Sequence, residues 1–162
     1  MPTRIASRPA ALRITSGGQT GVDRAALDLA LEIGLGCGGW CPRGRRAEDG
    51  AIPARYPLRE TRSSAYPERT EANVRDADAT LVLTRGALHG GTALTVALAR
   101  RLGKACLVVD LTADPAPAAA EVRRWLADHE VRVLNVAGPR ESEQPGIHDE
   151  AAEFLRAVLI PR

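Results

Sequence analysis

At 162 residues, 44% hydrophobic and 26% charged with a net charge of +2, the chain has the size of one domain with a buried core. Its near-neutral balance creates no field that would draw in nucleic acid or a membrane surface. No apolar run approaches the roughly 18 residues of a membrane span, and the N-terminal MPTRIASRPAALRIT lacks the apolar stretch and cleavage site of a signal peptide, so a cytoplasmic protein without membrane contacts is expected.

The run at 11–16, ALRITS, reads as a strand that stops abruptly in Gly17-Gly18-Gln19-Thr20-Gly21. Val22, Ala26, Leu29, Ala30 and Ile33 then recur at three- and four-residue steps up to Gly34, the pattern of an amphipathic helix with a glycine stop. Residues 37–41 fit a second, short strand. From 42 to 67 the chain is irregular, with only 56–61 suited to an extended piece, and reads as a long functional loop. Residues 67–77 begin with Pro67 and carry Glu68 and Glu71 early, which suits the positive end of a helix. ATLVLT at 79–84 is a buried strand, and Gly90-Gly91 open a helix closed by Gly103. A strand at 105–111, an amphipathic helix at 116–129, a strand at 131–138 and a helix at 149–159 complete the chain. This alternation requires parallel pairing. It predicts an α/β Rossmann-like three-layer α/β/α sandwich, with one ligand-binding domain over 1–162 and a flexible segment at 1–10.

Two places suit anions. Gly17, Gly18, Gln19, Thr20 and Gly21 lie between a strand and a helix N-terminus, where free N–H groups and the helix dipole favour phosphate; Asp23 and Arg24 follow directly. His89, Gly90, Gly91 and Thr92 repeat that arrangement after 79–84, at the same end of the predicted sheet. The GGxxG spacing is neither a Walker loop nor a dinucleotide fingerprint, and a plain tight turn is the competing reading for each loop. Arg43, Arg45 and Arg46, close to Glu48 and Asp49, are either guanidinium forks for phosphate or an exposed run paired within itself. Tyr66, Arg69, Thr70 and Asn73 share helical spacing and could present one polar face to the crevice or to solvent. Cys37, Cys41 and Cys106 form no paired set, and with the three histidines dispersed no metal site and reduced thiols are expected. Asp23 and Asp78 are isolated candidate acids or bases, and no catalytic dyad stands out.

The segments SGGQTGVDRAALDLAL, GGWCPRGRRAEDGAIPARYPLRET, RTEANVRDADATLVLT, GGTALT and VLNVAGPRESEQPGI together resemble the molybdenum carrier family, within the Rossmann-like SLOG group that includes lysine-decarboxylase-like enzymes. The resemblance runs from about residue 12 to the C-terminal helix. It implies a homo-oligomer, a dimer or tetramer, and molybdenum cofactor as ligand, with molybdoenzymes as partners. It also implies phosphate-binding loops at Gly17, Gly18, Thr20 and Gly21 and at Gly90, Gly91 and Thr92, with Arg43, Arg45, Arg46 and Glu48 in the family's basic loop. Related cytokinin-activating enzymes carry a helix Glu after the glycine loop, and GGTALTVALA has none, which favours binding over catalysis. The expected function is therefore a carrier for a phosphorylated pterin or nucleotide-like small molecule, or for an oxyanion such as molybdate. The alternative is a nucleotide-processing N-glycosidase of the phosphoribohydrolase type. A nucleic-acid module is disfavoured by the charge and by an aromatic content of 3%.

Overall fold

Right-handed crossovers between parallel strands fix which helix covers which face of a sheet. In the computed structural model, which describes residues 12–160, the chain runs β1 (Arg13–Thr15), α1 (Val22–Ile33), β2 (Cys37–Gly38), β3 (Trp40–Cys41), β4 (Arg46–Ala47), β5 (Gly50–Ala51) and β6 (Arg59–Glu60). It continues with α2 (Tyr66–Asp76), β7 (Ala79–Thr84), α3 (Gly90–Arg101), β8 (Ala105–Asp110), α4 (Pro115–Asp128), β9 (Val133–Ala137) and α5 (Ile147–Leu159). The segment 1–10, expected to be flexible, lies outside the described residues.

Five strands form one parallel sheet in the order β2-β1-β9-β7-β8. The steps β1 to β2 and β8 to β9 run one way along the sheet, and β2 to β7 and β7 to β8 run the other. Accordingly α1, α4 and α5 pack together on one face and α2 against α3 on the other. Counting from β9, this is the 3-2-1-4-5 order of a Rossmann sheet with its first strand moved to the end of the chain. The reversal of direction, where ligands bind in such sheets, then falls between β9 and β7.

The two faces differ chemically because side chains alternate along each strand. Ala79, Leu81 and Leu83 of β7 and Leu134 and Val136 of β9 join the aliphatic core with Ile14, Leu27, Leu29, Phe154 and Leu155. Thr80, Thr84 and Asn135 point the other way and are also buried; Asn135 Nδ2 donates to Thr80 Oγ1 at 3.3 Å. The layer beneath α2 and α3 is thus partly polar.

The expected single strand at 37–41 is instead two, in different sheets, and Gly39 is the break. Its φ is +129°, and a Cβ there would come within 2.3 Å of the Ser16 carbonyl oxygen, so the chain turns out of the main sheet before β3 pairs with β6. The stretch expected to be an irregular loop is tied down as well. β4 and β5 form a small hairpin, and Arg45, with φ +53°, donates from its guanidinium to the carbonyls of Ile52 at 2.9 Å, Pro53 at 2.8 Å and Tyr56 at 2.9 Å. Tyr56, 1% exposed, donates its hydroxyl to Asp28 Oδ1 at 2.6 Å, pinning the segment to α1.

Arg45 therefore acts as a staple rather than a free cation. Arg45→Met is expected to lower the unfolding free energy by about 2–4 kcal/mol, because several carbonyls lose a charged donor, whereas Arg43→Met at an exposed position stays within about 0.5 kcal/mol of the parent. Urea denaturation of the two variants checks the contrast.

Candidate functional site

A cleft of about 270 Å³ opens at the C-terminal ends of β1, β9 and β7. Its walls come from the first glycine loop, from α2, from the start of α3 and from the segment that follows β9.

The first loop is closed on the protein itself. Gln19 N–H donates to Asp23 Oδ2 at 3.3 Å, Thr20 N–H to Gln19 Oε1 at 3.1 Å, and Val22 N–H to the Pro139 carbonyl at 3.3 Å. A Cβ at Gly17 would meet Arg69 at 1.9 Å, one at Gly18 would meet Leu58 at 2.5 Å, and one at Gly21 the Pro139 carbonyl at 2.3 Å. At these three glycines the space of a side chain is taken by neighbouring protein. Only Gly17, Gln19 and Asp23 of the loop region line the cleft.

The second loop is different. A Cβ added at Gly90, whose φ is +48°, or at Gly91 would meet no protein atom within 4 Å, and both glycines line the cleft together with Thr92. His89 precedes α3 without capping it through its side chain; its carbonyl accepts from the Thr92 N–H at 3.1 Å, and the N–H groups of Gly90 and Gly91 have no protein acceptor among the described residues at the positive end of the helix. His89 itself does not line the cleft.

The residues of the expected basic loop do not line the cleft. Arg43 is exposed, Arg45 is the staple described above, and Arg24 makes a two-pronged pair with Asp49 while its Nε donates to the Gly18 carbonyl at 3.1 Å. Glu48 accepts from the hydroxyls of Thr20 and Ser142. Burial would raise its proton affinity, but those hydrogen bonds and Arg140 outweigh it and hold the carboxyl below its ordinary range. Arg24, Arg45 and Glu48 thus have side chains engaged by the protein, Arg43 is exposed, and none of the four lines the cleft. Arg46 does not line the cleft; its guanidinium donates to the Ser64 carbonyl at 3.2 Å and lies 4.8 Å from the ring centre of Tyr66, which does.

In their place α2 supplies Tyr66, Arg69, Thr70 and Asn73 to the cleft, the helical face noted in the sequence. Arg69 donates to the Gly17 carbonyl at 2.9 Å and pairs with Asp23 at 3.3 Å. Asn73 turns back to hold Trp40, accepting from its N–H at 2.8 Å and donating to its carbonyl at 2.9 Å. Sequence reasoning missed Asn135, Gly138, Arg140 and Glu143. The signal was GPRES, which follows β9 and so occupies the first βα turn of the reordered Rossmann sheet, the usual phosphate-side turn. Among the described residues no group of three His, Cys, Asp or Glu side chains could hold a metal ion, and no helix is long and apolar enough to cross a membrane.

Asp23 is the one buried carboxylate in the cleft. Burial pushes its carboxyl up from 3.8 to about 6, against the opposing pull of Arg69, the Gln19 N–H and Arg24.

A parallel sheet with a cleft at the point where strand order reverses places the chain among the Rossmann-like α/β proteins. The chain belongs to the circularly permutated YpsA SLOG family, whose model matches residues 14–159; the displaced first strand is the structural face of that permutation. It is also similar to the crystal structure of a protein from Syntrophus aciditrophicus, provisionally named a molybdenum carrier protein. The two share 44% sequence identity over 94% of this chain and 96% of that one, with a TM-score of 0.90. No curated protein matches the sequence.

The folded state binds Asp23's proton more tightly than the unfolded chain. Its contribution therefore favours folding below pH 3.8 and is lost as pH rises from 3.8 to about 6. Asp23→Asn should gain stability relative to the parent across that window, by an amount on the order of 3 kcal/mol. The carboxyl carbon of Asp23 should titrate near pH 6 by NMR; a midpoint at the ordinary value would contradict the burial argument.

Proposed function

We propose that the protein is a carrier that holds a phosphorylated heterocycle, molybdenum cofactor or a related pterin or nucleotide, in the cleft between β9 and β7. The observation that carries this reading is the uncapped start of α3. Gly90 and Gly91 leave open space in front of free helix N–H groups, the arrangement that suits a phosphate, and they do so on a cleft whose other walls carry Arg69 and Arg140. A volume of about 270 Å³ lies just below the usual range of ligand pockets, roughly 300–1,000 Å³. It suits one heterocycle with a single phosphate rather than a dinucleotide.

The residues fit the phosphate and the ring of molybdenum cofactor better than its metal. Cys37 and Cys41 are buried in the core, and none of the three cysteines lines the cleft, so this chain would grip the group through α3, Arg69 and Arg140. When bound, the cofactor brings redox-active molybdenum chemistry; the protein's part is binding, orientation and partial exclusion of water. The 44% identity to the Syntrophus protein named for molybdenum carriage supports this choice. Assembly as a homo-oligomer and delivery to molybdoenzymes belong to the same proposal, as does a cytoplasmic setting.

The test is binding with product analysis. Purified protein mixed with molybdenum cofactor, with nucleoside monophosphates or with molybdate should retain an intact phosphorylated ligand at defined stoichiometry in native mass spectrometry, with no free base formed. Gly91→Leu, which meets no protein atom within 4 Å at Cβ, should weaken retention about tenfold or more while changing stability by only about 1 kcal/mol. Free base accumulating from a nucleotide would replace the carrier by an N-glycosidase.

A further inference from the structure

Three residues that line the cleft, Gln19, Arg69 and Asp23, keep hydrogen-bonding capacity that no protein group among the described residues uses. Gln19 Nε2 and Arg69 Nε are buried donors without a partner among the described residues. Both residues line the cleft, and Gln19 is only 5% exposed. The Gln19 amide cannot simply turn over, because its Oε1 already accepts from Thr20 N–H at 3.1 Å and Glu48 N–H at 2.9 Å. Asp23 completes the wall. Its Oδ2 takes the Gln19 N–H and Arg69 Nη1, both at 3.3 Å, and its Oδ1 receives no protein hydrogen bond among the described residues. Buried donors without acceptors are rare in folded proteins, and a cleft is where a ligand can complete them.

We propose that this wall reads the lactam edge of a heterocycle, with Gln19 Nε2 and Arg69 Nε donating to the ring carbonyl oxygen and Asp23 Oδ1 accepting from the neighbouring ring N–H. The inference rests on the reading of the cleft as a site for a phosphorylated heterocycle, and it names which heterocycle. A 2-amino-4-oxo-pyrimidine ring, shared by pterins and guanine, carries the carbonyl, the ring N–H and an adjoining amino group in that order. Adenine carries the reverse: an amino donor where Gln19 and Arg69 need an acceptor, and a ring nitrogen acceptor where Asp23 needs a donor. A site built to hydrogen-bond one such edge rejects the mismatched edge strongly, because its own buried groups are then left unpaired.

The probes are GMP, IMP, AMP and unphosphorylated guanosine, titrated into wild-type protein by calorimetry. GMP should bind best, IMP next because it keeps the lactam but lacks the amino group, and AMP at least about tenfold more weakly than GMP. Gln19→Glu keeps the acceptor that serves Thr20 and Glu48 but replaces the free donor with an oxygen. It should cost GMP about tenfold or more and shrink the GMP-to-AMP ratio, with a thermal melt reporting that the variant is folded. AMP binding as tightly as GMP to the wild type, with both weakened by Gly91→Leu, overturns the lactam wall while leaving the phosphate reading intact. Guanosine binding as tightly as GMP overturns the phosphate reading and leaves base discrimination to be judged from the nucleosides. Because the ligand series is run on the wild type, it decides the matter even if Gln19→Glu fails to fold.

Discussion

The Asp23 carboxylate organises the cleft. Taken out of water on the first turn of α1, it needs compensation, and receives it from the Gln19 N–H and from Arg69 on α2. A buried carboxylate without such partners would be strongly disfavoured. Because Arg69 also reaches the Gly17 carbonyl, one guanidinium ties α2 to the distant loop after β1. The loop glycines follow from this packing: the space a Cβ would occupy at Gly17 is filled by Arg69. The start of α3, where a Cβ at Gly90 or Gly91 meets no protein atom within 4 Å, is the open end of the cleft.

The surrounding segments brace that arrangement. Glu48 joins Thr20 to Ser142, and so holds the first loop against the stretch that follows β9. Arg24 and Asp49 add a second tie beside it. Arg45 and the buried Tyr56 keep the 42–60 segment folded over Gly18. The segment that reads in sequence either as guanidinium forks for phosphate or as a run paired within itself carries Arg45 and Glu48 as ties to neighbouring protein.

Much of the fold is legible in the sequence because it depends on local pattern: ATLVLT, the helical spacing from Val22 to Ile33, and the glycine stops all act within a few residues. Strand order is not local. Nothing within VLNVA says that it enters between β1 and β7, and without that placement GPRES looks like a C-terminal turn instead of the first turn of a reordered Rossmann sheet. The same limit explains the site. Tyr66, Arg69, Thr70 and Asn73 are visible as one helical face, since a helix fixes that relation by itself. The spending of Arg24, Arg45 and Glu48 on distant carbonyls and side chains requires the third dimension. The glycine loops show the limit from another side, because Gly17 and Gly91 look alike in sequence and differ only in whether protein or open space stands before them.

The central claim is that a ligand is held at the start of α3 and along the Asp23–Arg69 wall, and not by the arginines of the 43–49 segment. The most direct measurement is NMR of the isotopically labelled protein titrated with 6-hydroxymethylpterin monophosphate. Saturable shifts at the amides of Gly90, Gly91 and Thr92 and at the Arg69 Nε–H, with Arg43 and Arg45 unmoved, are the predicted result. Shifts concentrated at residues 43–49 with Gly90 to Thr92 unmoved would contradict it.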